Sequence, residues 1–206
     1  MAKISIVDVG TGNIKSIEKA FRAVGAEVVV ATEARQVAAA DKLVLPGVGH
    51  FDAAMVRLRQ LGFDDALHEC ALTRARPVLG ICLGMHLMAS RSEEGSCPGL
   101  GWVPEASVVR FRPAQVNRCK VPHIGWNDIQ SDGSGRLLRG IAAASECYFS
   151  HSFHLKGVRQ DRVTATTTYS YDFASVVEHE NLFGVQFHPE KSRSAGNIIL
   201  NNFASL

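Results

Sequence analysis

The chain has 206 residues, 46% of them hydrophobic, and a formal net charge of +2. That length supports one domain over 1–206, and so small and dispersed a charge excludes a surface built to attract nucleic acid or membranes. No window is long enough for a membrane span and no signal peptide precedes the first strand, while five scattered cysteines without C-x-x-C spacing exclude a disulfide framework and suit a reducing cytoplasm.

The first half of the chain alternates. Apolar runs predict strands at 4–7, 27–30 and 42–45, a helix over 14–24, a helical stretch over 51–74, a strand at 78–79 and a helix over 83–91. Strands alternating with helices imply right-handed crossovers and parallel pairing. After Gly95 the texture changes: 102–103, 108–111, 148–151 and 162–168 read as strands separated by Gly, Pro and Asn. Residues 175–178 and 183–187 form a hairpin closed by Glu180-Asn181, and a last helix over 195–203 packs back through Ile198, Ile199 and Phe203. The expected fold is a single α/β domain, with a mixed, mostly parallel sheet flanked by helices.

Two segments carry chemistry. In Gly80-Ile81-Cys82-Leu83-Gly84-Met85 a thiol sits between two glycines, straight after the apolar run Pro77-Val78-Leu79. This is the layout of a nucleophile elbow, a sharp strand-to-helix turn that lifts the reactive side chain above the sheet edge. The turn crowds and strains the backbone, hence the flanking glycines, and a helix beginning at Leu83 aims its free N–H groups and dipole at the sulfur, which favours thiolate. Cys82 alone reads equally as a buried inert cysteine. The second segment, Phe187-His188-Pro189-Glu190-Lys191, changes that. His188 follows a short buried strand that Pro189 stops, and Glu190, two residues on, points to the same side of an extended backbone and reaches the second ring nitrogen. Such a carboxylate fixes the tautomer and steadies the imidazolium, giving a Cys82–His188–Glu190 triad. A plain surface His-Pro-Glu turn is the alternative where no thiol elbow exists.

Acyl chemistry also needs donors where an oxyanion develops. The Leu83 N–H, next after the nucleophile, is one. The loop Gly47-Val48-Gly49, after the strand ending at Leu45, offers a second backbone amide, although it reads equally as a plain βα turn. His151 and Ser152 end another apolar strand, where backbone or hydroxyl groups could hold the α-amino and carboxylate ends of a substrate. None of the remaining histidines shows metal-ligand spacing on a helix face, so no metal is assigned.

With these residues in view, the chain resembles class I (triad) glutamine amidotransferases and, within them, the glutaminase subunits of imidazole glycerol phosphate synthase. The narrower resemblance rests on Val7-Asp8-Val9-Gly10-Thr11-Gly12-Asn13-Ile14, Leu45-Pro46-Gly47-Val48-Gly49, Arg91-Ser92-Glu93-Glu94-Gly95, Lys120 to Asn127, Tyr148-Phe149-Ser150-His151-Ser152 and Asn202-Phe203, spread from end to end. It implies hydrolysis of glutamine to glutamate and ammonia through a glutamyl thioester, with no cofactor. It also implies a heterodimer with a (β/α)₈-barrel cyclase through which the ammonia passes, giving imidazole glycerol phosphate and an aminoimidazole carboxamide ribotide. Carried over, Cys82 is the nucleophile, His188 the general base and then acid, and Glu190 the orienting carboxylate. Val48, Gly49 and Leu83 line the oxyanion hole, after a backbone rearrangement triggered by the partner, and Gly47, His86, His151 and Ser152 bind glutamine. Asn13, Trp126, Tyr148 and Lys191 face the cyclase.

Some positions depart from that pattern. His86 stands where the family usually carries a glutamine that touches substrate, Phe153 stands where tyrosine is frequent, and Asp8-Val9-Gly10 lacks a frequent tyrosine. The segments Glu94 to Trp102 and Ser152-Phe153-His154 resemble paralogues that feed ammonia to a different barrel-type partner in surface-polysaccharide sugar amidation. A cysteine peptidase on the same fold would lack the Phe-His-Pro-Glu-Lys-Ser block, and a non-catalytic interaction subunit would lack the triad.

Overall fold

A computed structural model describes residues 3–10, 12–112, 119–131 and 133–206. Thr11 of the opening motif lies outside them. The first half runs β1 (Lys3–Val7), α1 (Ile14–Ala23), β2 (Glu27–Ala31), α2 (Ala34–Ala38), β3 (Lys42–Gly47), α3 (Phe51–Gln60), α4 (Phe63–His68), β4 (Val78–Cys82) and α5 (Leu83–Leu87). The second half runs β5 (Ala89–Ser92), β6 (Val103–Arg110), β7 (His123–Ser131), β8 (Ala144–His151), β9 (Phe153–Lys156), β10 (Val163–Tyr169), β11 (Tyr171–His179), β12 (Leu182–Val185) and α6 (Arg193–Ser205).

Local chemistry explains the helix ends that matter. The Asn13 side chain accepts from Ser16 N–H at the start of α1, whose Ile17 and Phe21, four residues apart, enter the core together. The helical stretch expected over 51–74 is broken at Gly62, which adopts φ +64°, so α3 and α4 are separate helices. The helix expected over 83–91 ends at Leu87, and its second half is strand β5. Gly99 N–H bonds to Ser90 C=O and Leu100 N–H to Leu87 C=O, so distant partners take over the backbone groups a longer helix would use. Strands β7 and β9 have no counterpart among the expected strands. In α6 the core face is Ile199, Leu200 and Phe203, with Ile198 only half-buried.

The main sheet has the strand order β2-β1-β3-β4-β12-β11-β10-β7-β8, and a small second sheet pairs β5, β6 and β9. Strands β3, β4 and β12 are buried along their whole length, as expected of parallel strands covered on both faces. One face carries α3, α4 and α5 through Phe51, Met55, Leu58, Phe63 and Leu67. The other carries α1 and α6 through Phe21, Ile199 and Phe203. The sheet is mixed, as expected, but its balance differs from the mostly parallel expectation. The pairings from β2 to β12 are parallel, and those from β12 to β8 are antiparallel, four of each. Hairpin links as short as Ser170 and Glu180-Asn181 cannot make a crossover, so they force reversal.

This topology builds the site. β4 lies between β3 and β12, parallel to both, with Gly47 opposite Cys82 and Val185 opposite Ile81. Three chain segments, separated in turn by 35 and 103 residues, therefore leave the sheet at one edge, where ligands bind in open α/β sheets.

Candidate active site

Cys82 closes β4 with φ +54° and ψ −110° and starts α5 at the next residue. A non-glycine residue there stores on the order of 1–3 kcal/mol of strain, which the surroundings must hold. The flanking glycines show how. A Cβ on Gly84 would lie 1.7 Å from the Leu45 carbonyl oxygen, and one on Gly80 would lie 2.7 Å from the Met85 nitrogen. The elbow thus presses α5 directly onto β3.

His188 stands at the other side of the thiol. Its Nδ1 lies 2.9 Å from Glu190 Oε1, leaving Nε2 for the cavity that Cys82 also lines. The reach of Glu190 has a different cause from the one expected. Pro189–Lys191 is a 3₁₀ turn, so the carboxylate folds back within a turn instead of alternating along an extended strand. Burial by itself would lower the His188 pKa. The hydrogen bonds and charges of Cys82 and Glu190 outweigh it and raise the value to about 9. The group is therefore poised as an imidazolium beside the sulfur.

A cavity of about 300 Å³ opens on this pair. It is lined by Cys82, His188, Val48, Gly49, Leu83, His86, His151, Ser152 and Lys191, all singled out from sequence, and suits a ligand of amino-acid size. Gly47 does not line it. A Cβ there would meet Leu83 Cβ at 2.9 Å, so this glycine lets β3 pass beneath the elbow. Glu94, Pro122 and Ser150, not assigned to the site from sequence, complete the wall together with Phe153, the residue at the position where tyrosine is frequent. Glu94 also accepts from the Phe51 N–H at 2.9 Å, tying the wall to the start of α3, just beyond the Val48-Gly49 loop. An acidic side chain beside Gly95 in a turn was the available signal. A larger groove, about 810 Å³, runs between β9 and β11 but contains neither the thiol nor His188.

Outside the cavity mouth, Trp126 and Tyr148 meet edge-to-face at 5.8 Å between ring centroids. Lys191 lies over the Tyr148 ring and Arg193 over Trp126. Asn13 caps α1, which packs against the 3₁₀ turn holding Lys191. Of the residues expected to face a partner, Trp126, Tyr148 and Lys191 thus cluster beside the cavity that Lys191 lines.

Residues 5–205 match the family described as glutamine amidotransferase class-I. The chain belongs to that family. Among curated relatives, a protein of Campylobacter jejuni subsp. jejuni serotype O:23/36 (strain 81-176), named imidazole glycerol phosphate synthase subunit HisH 1, is 42% identical over 98% of this chain and 100% of its own length. The HisH subunit of Moorella thermoacetica is 43% identical over 100% of this chain and 96% of that protein. A crystal structure of a glutamine amidotransferase superposes with a TM-score of 0.74 at 18% identity, covering 98% of this chain and 99% of the other, which speaks to the fold. This amidotransferase is thus an α/β protein whose glycine-flanked thiol and His-Pro-Glu turn meet at the edge of the sheet. No helix among its described residues is long and apolar enough to cross a membrane.

Proposed function

We propose that the chain acts as the glutaminase subunit of an imidazole glycerol phosphate synthase, hydrolysing glutamine to glutamate and ammonia for a cyclase partner in histidine biosynthesis. The observation that carries this is a strained Cys82 facing a Glu190-backed His188, in a chain about 40% identical, end to end, to proteins bearing that subunit name. Relatives carrying that name favour this acceptor over the polysaccharide-type one.

The geometry supports the following sequence. The Cys82 sulfur, paired as thiolate with the His188 imidazolium, attacks the side-chain carboxamide carbon of glutamine. The oxyanion is met by Leu83 N–H, one of the first-turn amides that a helix leaves without an intrahelical acceptor, and by the Val48–Gly49 amide. His188 gives its proton to the departing nitrogen; the C–N bond breaks and ammonia leaves a glutamyl thioester. His188 then takes a proton from water, whose oxygen attacks the thioester carbon. The C–S bond breaks, the sulfur leaves as thiolate beside the His188 imidazolium, and glutamate departs. Glu94 has the charge to hold the substrate α-ammonium, with His151 and Ser152 on the facing wall. Ring formation in the nucleotide belongs to the partner.

A partner of the (β/α)₈-barrel type would dock on the face carrying Asn13, Trp126, Tyr148 and Lys191, beside the cavity mouth. Ammonia in neutral water is mostly ammonium and no nucleophile, so delivery must be direct, and hydrolysis by the lone chain should be slow. The test is glutamate release by this chain mixed with the cyclase from its own source and that enzyme's ribulosyl nucleotide, with Cys82→Ala as blank. Strong nucleotide-dependent release that vanishes in the blank is expected. Absence of stimulation, with Cys82 still labelled by a glutamine analogue, would overturn the partner and leave the hydrolysis.

A further inference from the structure

The nucleophile has a second polar neighbour that the triad does not use. Gln186, fully buried, leads from β12 to His188, and its backbone N–H is held by the Ser175 carbonyl at 2.9 Å. Its side-chain nitrogen lies 3.9 Å from Cys82 Sγ and its oxygen 2.9 Å from His86 Nε2. His86 is itself buried and projects from the helix that the elbow starts. We propose that Gln186 is a catalytic residue that donates an amide hydrogen to the Cys82 sulfur as it becomes anionic, and that His86 is the positioning residue that orients it.

A primary amide can present either end to a neighbour, so its direction depends on what holds the other end. Burial pushes the His86 pKa down to about 4, so the ring is neutral near pH 7. With its proton on Nε2 it can only donate to Gln186, which turns the oxygen toward His86 and the NH₂ toward the sulfur. The reverse orientation would aim a carbonyl lone pair at a developing thiolate. The nearby His151 and His154 are also lowered chiefly by burial, so neither adds a positive charge beside His86 near neutrality. A contact of 3.9 Å is long for a hydrogen bond to sulfur and tightens as substrate completes the site. His86, given a substrate-contact role by the family resemblance, thus also supports the nucleophile through Gln186. It rests on the reading of Cys82 as the attacking group.

The test uses the full chain and two electrophiles. Iodoacetamide reports sulfur reactivity without an amino-acid handle, and a chloroketone analogue of glutamine reports saturable binding as well. Proteins compared are wild type, His86→Ala, His86→Gln, Gln186→Leu and the double variant His86→Ala/Gln186→Leu, with Cys82→Ala as blank. Gln186→Leu and His86→Ala are expected to slow iodoacetamide labelling of Cys82 roughly threefold to tenfold, the factor one hydrogen bond commands in an equilibrium constant. For Gln186→Leu, whose side chain does not line the cavity, the analogue's half-saturation concentration should stay near wild type, the double variant should label no more slowly than Gln186→Leu, and His86→Gln, whose amide can also donate, should recover the rate. Unchanged iodoacetamide rates, or a loss confined to analogue saturation, would overturn the proposal and leave His86 to the substrate wall alone. If Gln186→Leu loses its cooperative melt, the His86→Ala and His86→Gln pair decides alone. Failure of the analogue to label wild-type Cys82 would instead sink the glutaminase reading, which the iodoacetamide comparison does not depend on.

Discussion

His188 depends on more than Glu190. Ser192 is buried four residues later; its hydroxyl donates to the His188 carbonyl at 2.6 Å and accepts from the Tyr148 N–H at 3.0 Å. The His188 N–H in turn bonds the Tyr148 carbonyl at 2.9 Å. One serine therefore fixes the turn carrying the base to the last strand of the sheet, and so fixes the distance from imidazole to thiol. Ser192→Ala leaves the part-buried Tyr148 N–H without its acceptor, while the His188 carbonyl keeps the Lys191 N–H, a loss of about 1–3 kcal/mol. Because the hydroxyl is not among the groups lining the cavity, the expected kinetic result is a lower kcat for glutamate release with KM nearly unchanged. A rise in KM at constant kcat would show that Ser192 supports substrate binding instead.

The elbow is a property of three elements together. β4 delivers the thiol, α5 begins at once, and β3 lies so close that only glycine fits at 84, where a Cβ would overlap the Leu45 oxygen. Gly84→Ala must push α5 off β3 and should destabilise the fold by about 3 kcal/mol, the upper end of ordinary overpacking costs. Gly140, at φ +78° with open space where a Cβ would stand, should lose only about 1–2 kcal/mol on change to alanine, from backbone strain alone. Paired urea titrations of the two variants check this, and equal losses would show that the close approach at 84 relaxes freely. The crowding at Gly84 was legible because short-range motifs record steric demands. The same holds for the His-Pro-Glu turn and the buried strand before it. What escaped had its cause elsewhere in the chain. The helix expected over 83–91 stops at Leu87 because residues 99–103 pair with 87–90, and no local pattern announces that. β7 exposes Ile124 and Trp126 and buries His123, inverting the hydropathy rule by which strands are found, and β9 buries His154 for the same effect. Glu94 was visible only as a member of a motif; its approach to the thiol depends on the loop that Asp52 holds through the Ser96 and Cys97 amides.

At the scale of the whole molecule, two sets of histidines pull stability in opposite directions with pH. His188 has a folded pKa of about 9 against an ordinary value near 6.5. Its contribution is complete below pH 6.5, where both folded and unfolded forms are protonated, and drains away as pH rises through 9. His86 and His123 are lowered by burial to about 4, and His151 and His154 are lowered for the same reason. For these four the unfolded chain binds protons that the folded chain refuses. The contribution of His86 and His123 is therefore complete above pH 6.5 and is lost as pH falls toward 4, and His151 and His154 act in the same direction. The geometry agrees: His151 Nδ1 donates to the Phe153 carbonyl, which leaves its Nε2 to accept from His123 Nδ1 at 2.9 Å, and a second proton on His151 would set two donors face to face. Carboxylates such as the half-buried Asp52, held low by the Ser96 N–H, act below this window. Melting temperature should therefore peak near pH 6.5, with an acid limb steeper than the alkaline one because four groups drive the first and one the second. His188→Asn should flatten the limb between 6.5 and 9 and leave the acid limb intact. Melting curves of the two proteins that run parallel across the alkaline window would show that the imidazolium is not held by Cys82 and Glu190, and would remove the electrostatic basis for the triad in the resting protein.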